Sequence, residues 1–166
     1  MKVYFTQVYI EPGVTFPFSC EFQRRLAEEV SAVAEPSATF NNRYGNEFDL
    51  HFYISAKSAL QVNEIRGPSV SRKNKDVEYT VFLPFDVISR RADAPQYALN
   101  CLLKGVCDVF DVLEIEKTKL LAKKDSIIDG ICSDSTMRAE PFWDPVQNKT
   151  HIANVFRAFF EKNQRA

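Results

Sequence analysis

The chain has 166 residues, 45% of them apolar, with 14 Phe and 5 Gly, enough to bury one core without metals or crosslinks. So little glycine argues against a Gly-rich phosphate-binding chain. The 21 basic and 22 acidic residues nearly cancel, to a net charge of −1, which excludes a general pull toward nucleic acid or an anionic membrane.

One domain over residues 1–166 is expected. Cys20, Cys101, Cys107 and Cys132 form no C-x-x-C pair. Cys101 and Cys107 lie about 600° apart around a helix. Buried reduced thiols are expected rather than a disulfide or a metal site. The segment Met1–Gln7 is too polar and short for a signal core. Nowhere do about 18 apolar residues run together. The expectation is a cytoplasmic protein.

Lys2 to Ile10 reads as a strand closed by Glu11-Pro12-Gly13. Ser19 is placed to cap a helix, with Glu21 near its positive end. Phe18, Phe22, Leu26, Val30 and Val33 make its buried stripe, and Pro36 stops it. Asn41-Asn42-Arg43-Tyr44-Gly45-Asn46 reads as a turn. It leads to a second strand, in which Phe48, Leu50, Phe52 and Ile54 alternate with Asp49, His51, Tyr53 and Ser55. That alternation buries one face and wets the other.

Glu64–Arg72 and Val77–Pro84 then form a hairpin across Lys73-Asn74-Lys75-Asp76. Gly67-Pro68 in its first arm predicts a bulge or an edge position. Beyond Asp86 the pattern turns helical. Pro95 suits a first turn, and Leu99, Leu102, Leu103, Val106, Phe110 and Leu113 follow at helical spacing. Lys117–Cys132 continues as helix, broken near Asp125 or Gly130. Glu140-Pro141-Phe142-Trp143-Asp144-Pro145 is a loop, and Ile152, Val155, Phe156, Phe159 and Phe160 mark a last helix. The expected class is α+β: an antiparallel sheet of about four strands covered on one face by helices, with a helical C-terminal half. Phe22, Leu26, Phe52, Ile54, Leu102, Val106 and Phe156 form its expected core.

Catalytic signatures are missing from the sequence. G-x-G-x-x-G, G-x-x-x-x-G-K and G-x-S-x-G do not occur. His51 and His151 lie a hundred residues apart, without metal-ligand spacing. No catalytic residue, cofactor or metal is therefore predicted. His51 on the wet strand face reads as solvated or hydrogen-bonded; the rival reading is a small enzyme using His51, Asp49 and Glu78. A non-toxin adaptor or phage accessory protein is a third.

Charge is unevenly spread. Lys57, Arg66, Arg72, Lys73 and Lys75 face one acid, Glu64, around the hairpin, whereas Asp108 to Asp144 holds nine acids and five bases. Solvated faces account for both; the alternative reading is that opposed patches steer a charged partner, and a third, for the hairpin, is that edge lysines discourage strand pairing. Asp108 and Asp111, three apart, share a helix face. With Glu114, Asp134 and Trp143 they form the expected partner-binding set. Trp143, between two prolines, reads either as packing on the last helix or as a rigid interface anchor.

Glu64-Ile65-Arg66-Gly67-Pro68-Ser69 and Asp76-Val77-Glu78-Tyr79-Thr80-Val81-Phe82-Leu83-Pro84-Phe85, together with Asp49-Leu50-His51-Phe52-Tyr53, carry a resemblance. Over residues 45 to 115 the pattern resembles immunity proteins of bacterial polymorphic toxin systems, including contact-dependent growth inhibition. The resemblance implies a cytoplasmic protein that neutralises one cognate toxin domain, such as a nuclease, by occlusion. It brings no shared functional residues. A protein partner is expected, with no direct contact to nucleic acid or membrane.

Overall fold

A computed structural model describes residues 1–12, 16–58, 60, 62–84 and 90–138. Its elements run β1 (Val3–Ile10), α1 (Glu21–Ser31), α2 (Ala38–Tyr44), β2 (Asp49–Lys57), β3 (Glu64–Ser71), β4 (Asp76–Pro84), α3 (Ala94–Val112) and α4 (Thr118–Ser133). A 3-10 turn, Ser135–Met137, follows. The class is α+β, with four strands and, among the described residues, four helices. No described helix is long and apolar enough to cross a membrane.

The sheet corrects the antiparallel expectation. Its order is β1-β2-β4-β3. The β1–β2 and β2–β4 pairs are parallel, and only the β4–β3 pair is antiparallel. Residues 11–48 carry the chain back through α1 and α2, long enough for a parallel crossover. The chain then passes over the place of β4 to lay β3 at the outer edge, and the hairpin returns β4 beside β2. Gly67-Pro68 falls where expected, at a register shift between Arg66 and Ser69 on this edge strand.

One face of the sheet is the core. Phe5 pairs with Phe52 and Phe52 with Tyr79 across three strands. The Phe5 and Phe52 rings stack at 5.3 Å. Phe22, Leu26 and Val30 of α1 cover this row together with Leu99, Leu102, Leu103 and Val106 of α3, all buried. Six expected core residues are buried: Phe22, Leu26, Phe52, Ile54, Leu102 and Val106. Phe156 and the last helix lie outside the described residues.

Three helix features and the burial of two cysteines differ from expectation. Ser19 does not cap α1; its Oγ donates to the Thr136 carbonyl at 2.7 Å and its N–H to Met137 at 2.9 Å, tying the entry of α1 to the 3-10 turn. The turn expected at Asn41–Asn46 is mostly α2, capped where the Phe40 N–H donates to Ser37 Oγ and ended at Gly45, whose φ is 104°. α4 runs unbroken through Asp125 and Gly130. All four cysteines are free, but Cys20 is exposed and Cys101 half-buried; only Cys107 and Cys132 are buried as expected.

Two glycines give opposite expectations. A Cβ on Gly67 would sit 2.7 Å from the Tyr79 ring and 2.9 Å from the Glu78 carbonyl, at a φ of 147°. Gly67→Ala is expected to destabilise by about 1–3 kcal/mol. Gly130 lies inside α4, where a Cβ would meet only Arg25 Nη2, at 3.5 Å. Gly130→Ala is expected to stabilise by about 1 kcal/mol. Urea denaturation of both variants checks the pair; a milder loss at Gly67 than at Gly130 refutes the assignment.

Candidate functional site

The apolar stripe of α3 turns Asp108 and Asp111 outward, and both are exposed. The helix then ends in a particular hydrogen-bond pattern. Ile115 N–H donates to the Phe110 carbonyl at 2.7 Å and Glu114 N–H to the Asp111 carbonyl at 3.2 Å. This is the Schellman arrangement, which needs its turning residue in the left-handed region and therefore favours glycine there. Here the residue is Glu114, with a φ of 55°. Ile115 is buried beneath it.

The turn shapes one wall of an open groove of about 560 Å³, lined by Glu35, Asp111, Glu114 and Glu116 with Phe110 and Ile115 at its base. Two lysines partly neutralise it. Lys117 Nζ lies 2.6 Å from Asp111 Oδ2, and Lys119 contacts Glu35. Glu116 accepts a hydrogen bond from the Thr118 side chain and another from its N–H, which hold its carboxyl below the ordinary range. The Glu114 carboxylate has no such partner among the described residues. The carbonyl end of α3 adds negative potential beside it.

The expected partner-binding residues therefore separate. Asp111 and Glu114 meet in the groove. Asp108 stands on the same helix, paired with Lys104 at 3.2 Å. Asp134 lies beyond the far end of α4, 16 residues long, or roughly 24 Å of helix. There it accepts hydrogen bonds from the Thr136 hydroxyl and N–H, which keep its carboxyl low; it holds a local turn. Trp143 lies outside the described residues. Glu35 and Glu116 were missed: Glu35 comes from a different segment, and Glu116 sits two residues before Thr118 as a capping acid.

The opposite sheet face holds the histidine. His51 Nε2 lies 2.8 Å from Thr6 Oγ1, and Nδ1 lies 3.9 Å from Asp76 Oδ2. The Tyr53 ring stacks on the imidazole at 4.3 Å. Of the rival trio, His51 and Glu78 are register partners on β2 and β4, and all three, Asp49 included, act electrostatically on Asp76. Asp49 accepts the Lys2 backbone N–H at 2.9 Å, and Glu78 accepts the Tyr53 hydroxyl at 3.3 Å. Strand β2 is paired on both sides, so its backbone N–H groups are committed to ladders and cannot serve as oxyanion donors. The Thr6–His51–Asp76 line is a cross-strand polar ladder.

The basic hairpin is also divided. Arg66 and Lys57 lie over the Phe82 ring, at 4.8 and 5.1 Å, and Arg66 pairs with Glu64. Arg72 and Lys73 are exposed at the tip, where Lys75 pairs with Glu47. No protein-family model, curated protein or solved structure matches the chain.

Two outcomes are expected here. Glu114→Gly relieves the left-handed strain and should stabilise the fold by about 1 kcal/mol, read from the denaturation midpoint. Burial, reinforced by Asp49 and Glu78 and opposed by His51, raises the Asp76 carboxyl above its ordinary range. Folded Asp76 thus holds its proton more tightly than the unfolded chain does. Its ionisation costs stability as pH rises from the ordinary carboxylate range through the folded value. Asp76→Asn escapes that loss and should gain on the wild type across the same window. A stability difference independent of pH would show the carboxyl to be unperturbed.

Proposed function

We propose that the chain is a non-catalytic binding protein that neutralises a cognate toxin domain in the cytoplasm by covering it, as immunity proteins of bacterial polymorphic toxin systems do. The α3–α4 groove receives a basic surface of that toxin. The observation that carries this reading is Glu114. A glutamate stands where the backbone favours glycine, and its carboxylate, without a partner among the described residues, lies at the rim of an acidic groove. Strain kept at one exposed side chain points to a use for that side chain.

The chemistry fits a basic partner such as a nuclease, whose phosphate-binding surface is rich in Lys and Arg. Four carboxylates against two lysines leave the groove net negative. A partner's guanidinium can displace Lys117 from Asp111, exchanging one exposed pair for another at little cost. Val112, next to Asp111, is 64% exposed and offers apolar surface beside the charges. Inhibition needs no turnover, only an interface with a few well-buried anchors.

The test pairs the chain with toxin domains encoded beside its gene. Reversing Asp111 and Glu114 to Lys is expected to slow association and flatten its salt dependence, because exposed charges act through steering. His51→Ala should protect cells as well as the wild type does. Lost protection in folded His51→Ala, with both acidic reversals silent, would overturn this reading in favour of the sheet face.

A further inference from the structure

Two cations stand beside the α3–α4 groove in a place that helix electrostatics disfavour. Lys117 is the N-cap residue of α4, and Lys119 lies in its first turn. Unpaired N–H groups make that end of a helix positive, so acids suit it and lysines suit the other end. In α4 this usage is inverted: the first turn holds no acid and the last turn no base. The Thr118 N–H and hydroxyl donate instead to Glu116, just outside the helix.

What offsets this placement is the groove itself. Lys117 is bonded to Asp111, which raises its ammonium above the ordinary value, and Lys119 contacts Glu35. Asp111 belongs to the last turn of α3 and Glu35 to the segment between α1 and α2. The two pairs therefore tie the start of α4 to two separate parts of the chain. Their four side chains are 35–64% exposed, so each pair is weak and opens readily. Two of the groove's four carboxylates are thus already occupied by cations of the chain's own, while Glu114 is left free of any partner among the described residues.

Resting on the reading of this groove as the seat of a basic partner, we propose that Lys117 and Lys119 are its built-in competitors and select an arginine-rich protein segment. In the free protein they hold Asp111 and Glu35 as the partner's cations do in the complex. A single cation meets Glu114 but gains nothing by exchanging with Lys117, one exposed pair replacing another. Clustered arginines displace both lysines, because guanidinium forks bind carboxylates bidentately and the second contact on one chain forms at high effective concentration. The lysines thus act against weakly charged surfaces, the repulsive element that specificity requires.

Fluorescence anisotropy of labelled octa-arginine tests the proposal, at about 0.15 M salt, where charges more than about 8 Å apart are largely screened. Lys117→Ala/Lys119→Ala should bind the peptide about tenfold more tightly than the wild type, since removing a competitor raises the binding-competent fraction. Lys123→Ala/Lys124→Ala removes the same charge from α4, from lysines that pair with no carboxylate among the described residues. It should change binding by less than about twofold. Equal gains in the two double variants, or no gain at Lys117 and Lys119, overturn the proposal. The groove reading outlives that result if Glu114→Lys still weakens binding. Octa-arginine that binds neither the wild type nor the Lys117→Ala/Lys119→Ala variant, or binds both equally well after Glu114→Lys, overturns the proposal and the groove reading together.

Discussion

The double pairing of β2 is the constraint on which the rest of the molecule depends. Its core-facing residues Leu50, Phe52 and Ile54 are fully buried between the rows of β1 and β4, and both neighbours run parallel to it. Parallel neighbours require crossovers. One is built from α1 and α2. The other sends β3 to the outside, so that the hairpin returns β4 to the centre. This arrangement fixes which strands are edges, β1 and β3, and the crowding at Gly67 follows from it. Tyr79 in β4 belongs to the same row as Phe52, and its ring leaves no room for a Cβ on the facing edge strand.

The helices follow from the same row. α1 lies over β1 and α3 over β4, and α4 packs on both helices. Close approach of α3 to the sheet uses Gly105, where a Cβ would come within 3.3 Å of Val81. With α3 held there, its end and the turn into α4 are fixed in space, and the Glu114 carboxylate stands beside Glu35 from the segment before α2. Gly67 and Glu114 show one physics with opposite outcomes. Both take backbone conformations suited to glycine. At Gly67 packing forbids a side chain, whereas at Glu114 the side chain projects into solvent and only the backbone bears the cost.

Faces were legible in the sequence and neighbours were not. The alternation through Phe48 to Ser55 assigns the buried side of β2 correctly, because side-chain period depends on the strand alone. Strand direction depends on connections, and strands clustered early with helices late suggested an antiparallel sheet. α2 escaped notice because seven residues hold too few apolar positions for a stripe; its signal was the Ser37 cap. Gly130 looked like a break, yet one glycine costs a helix only about 1 kcal/mol. In the groove, Asp111 and Glu114 were readable from spacing along one helix. Glu35 was not, since only tertiary packing brings it there. Asp134 was grouped with Asp111 and Glu114 by counting charge along the chain, which cannot distinguish a free carboxylate from one that holds a turn.

Both sheet edges are closed by local means, and this bears on how the molecule can meet a partner. β3 carries Gly67-Pro68 and a register shift, features that make a poor template for strand addition. β1 is engaged through Ser31 and Gln23. With backbone pairing obstructed at both edges, the proposed recognition would fall to side chains on helices and turns. Side-chain recognition through exposed charges is fast and salt-sensitive, and its specificity comes from where each charge stands. In the proposed reading, the strained turn sets where the Glu114 side chain leaves the surface, because its backbone cannot move without undoing the hydrogen bonds that end α3.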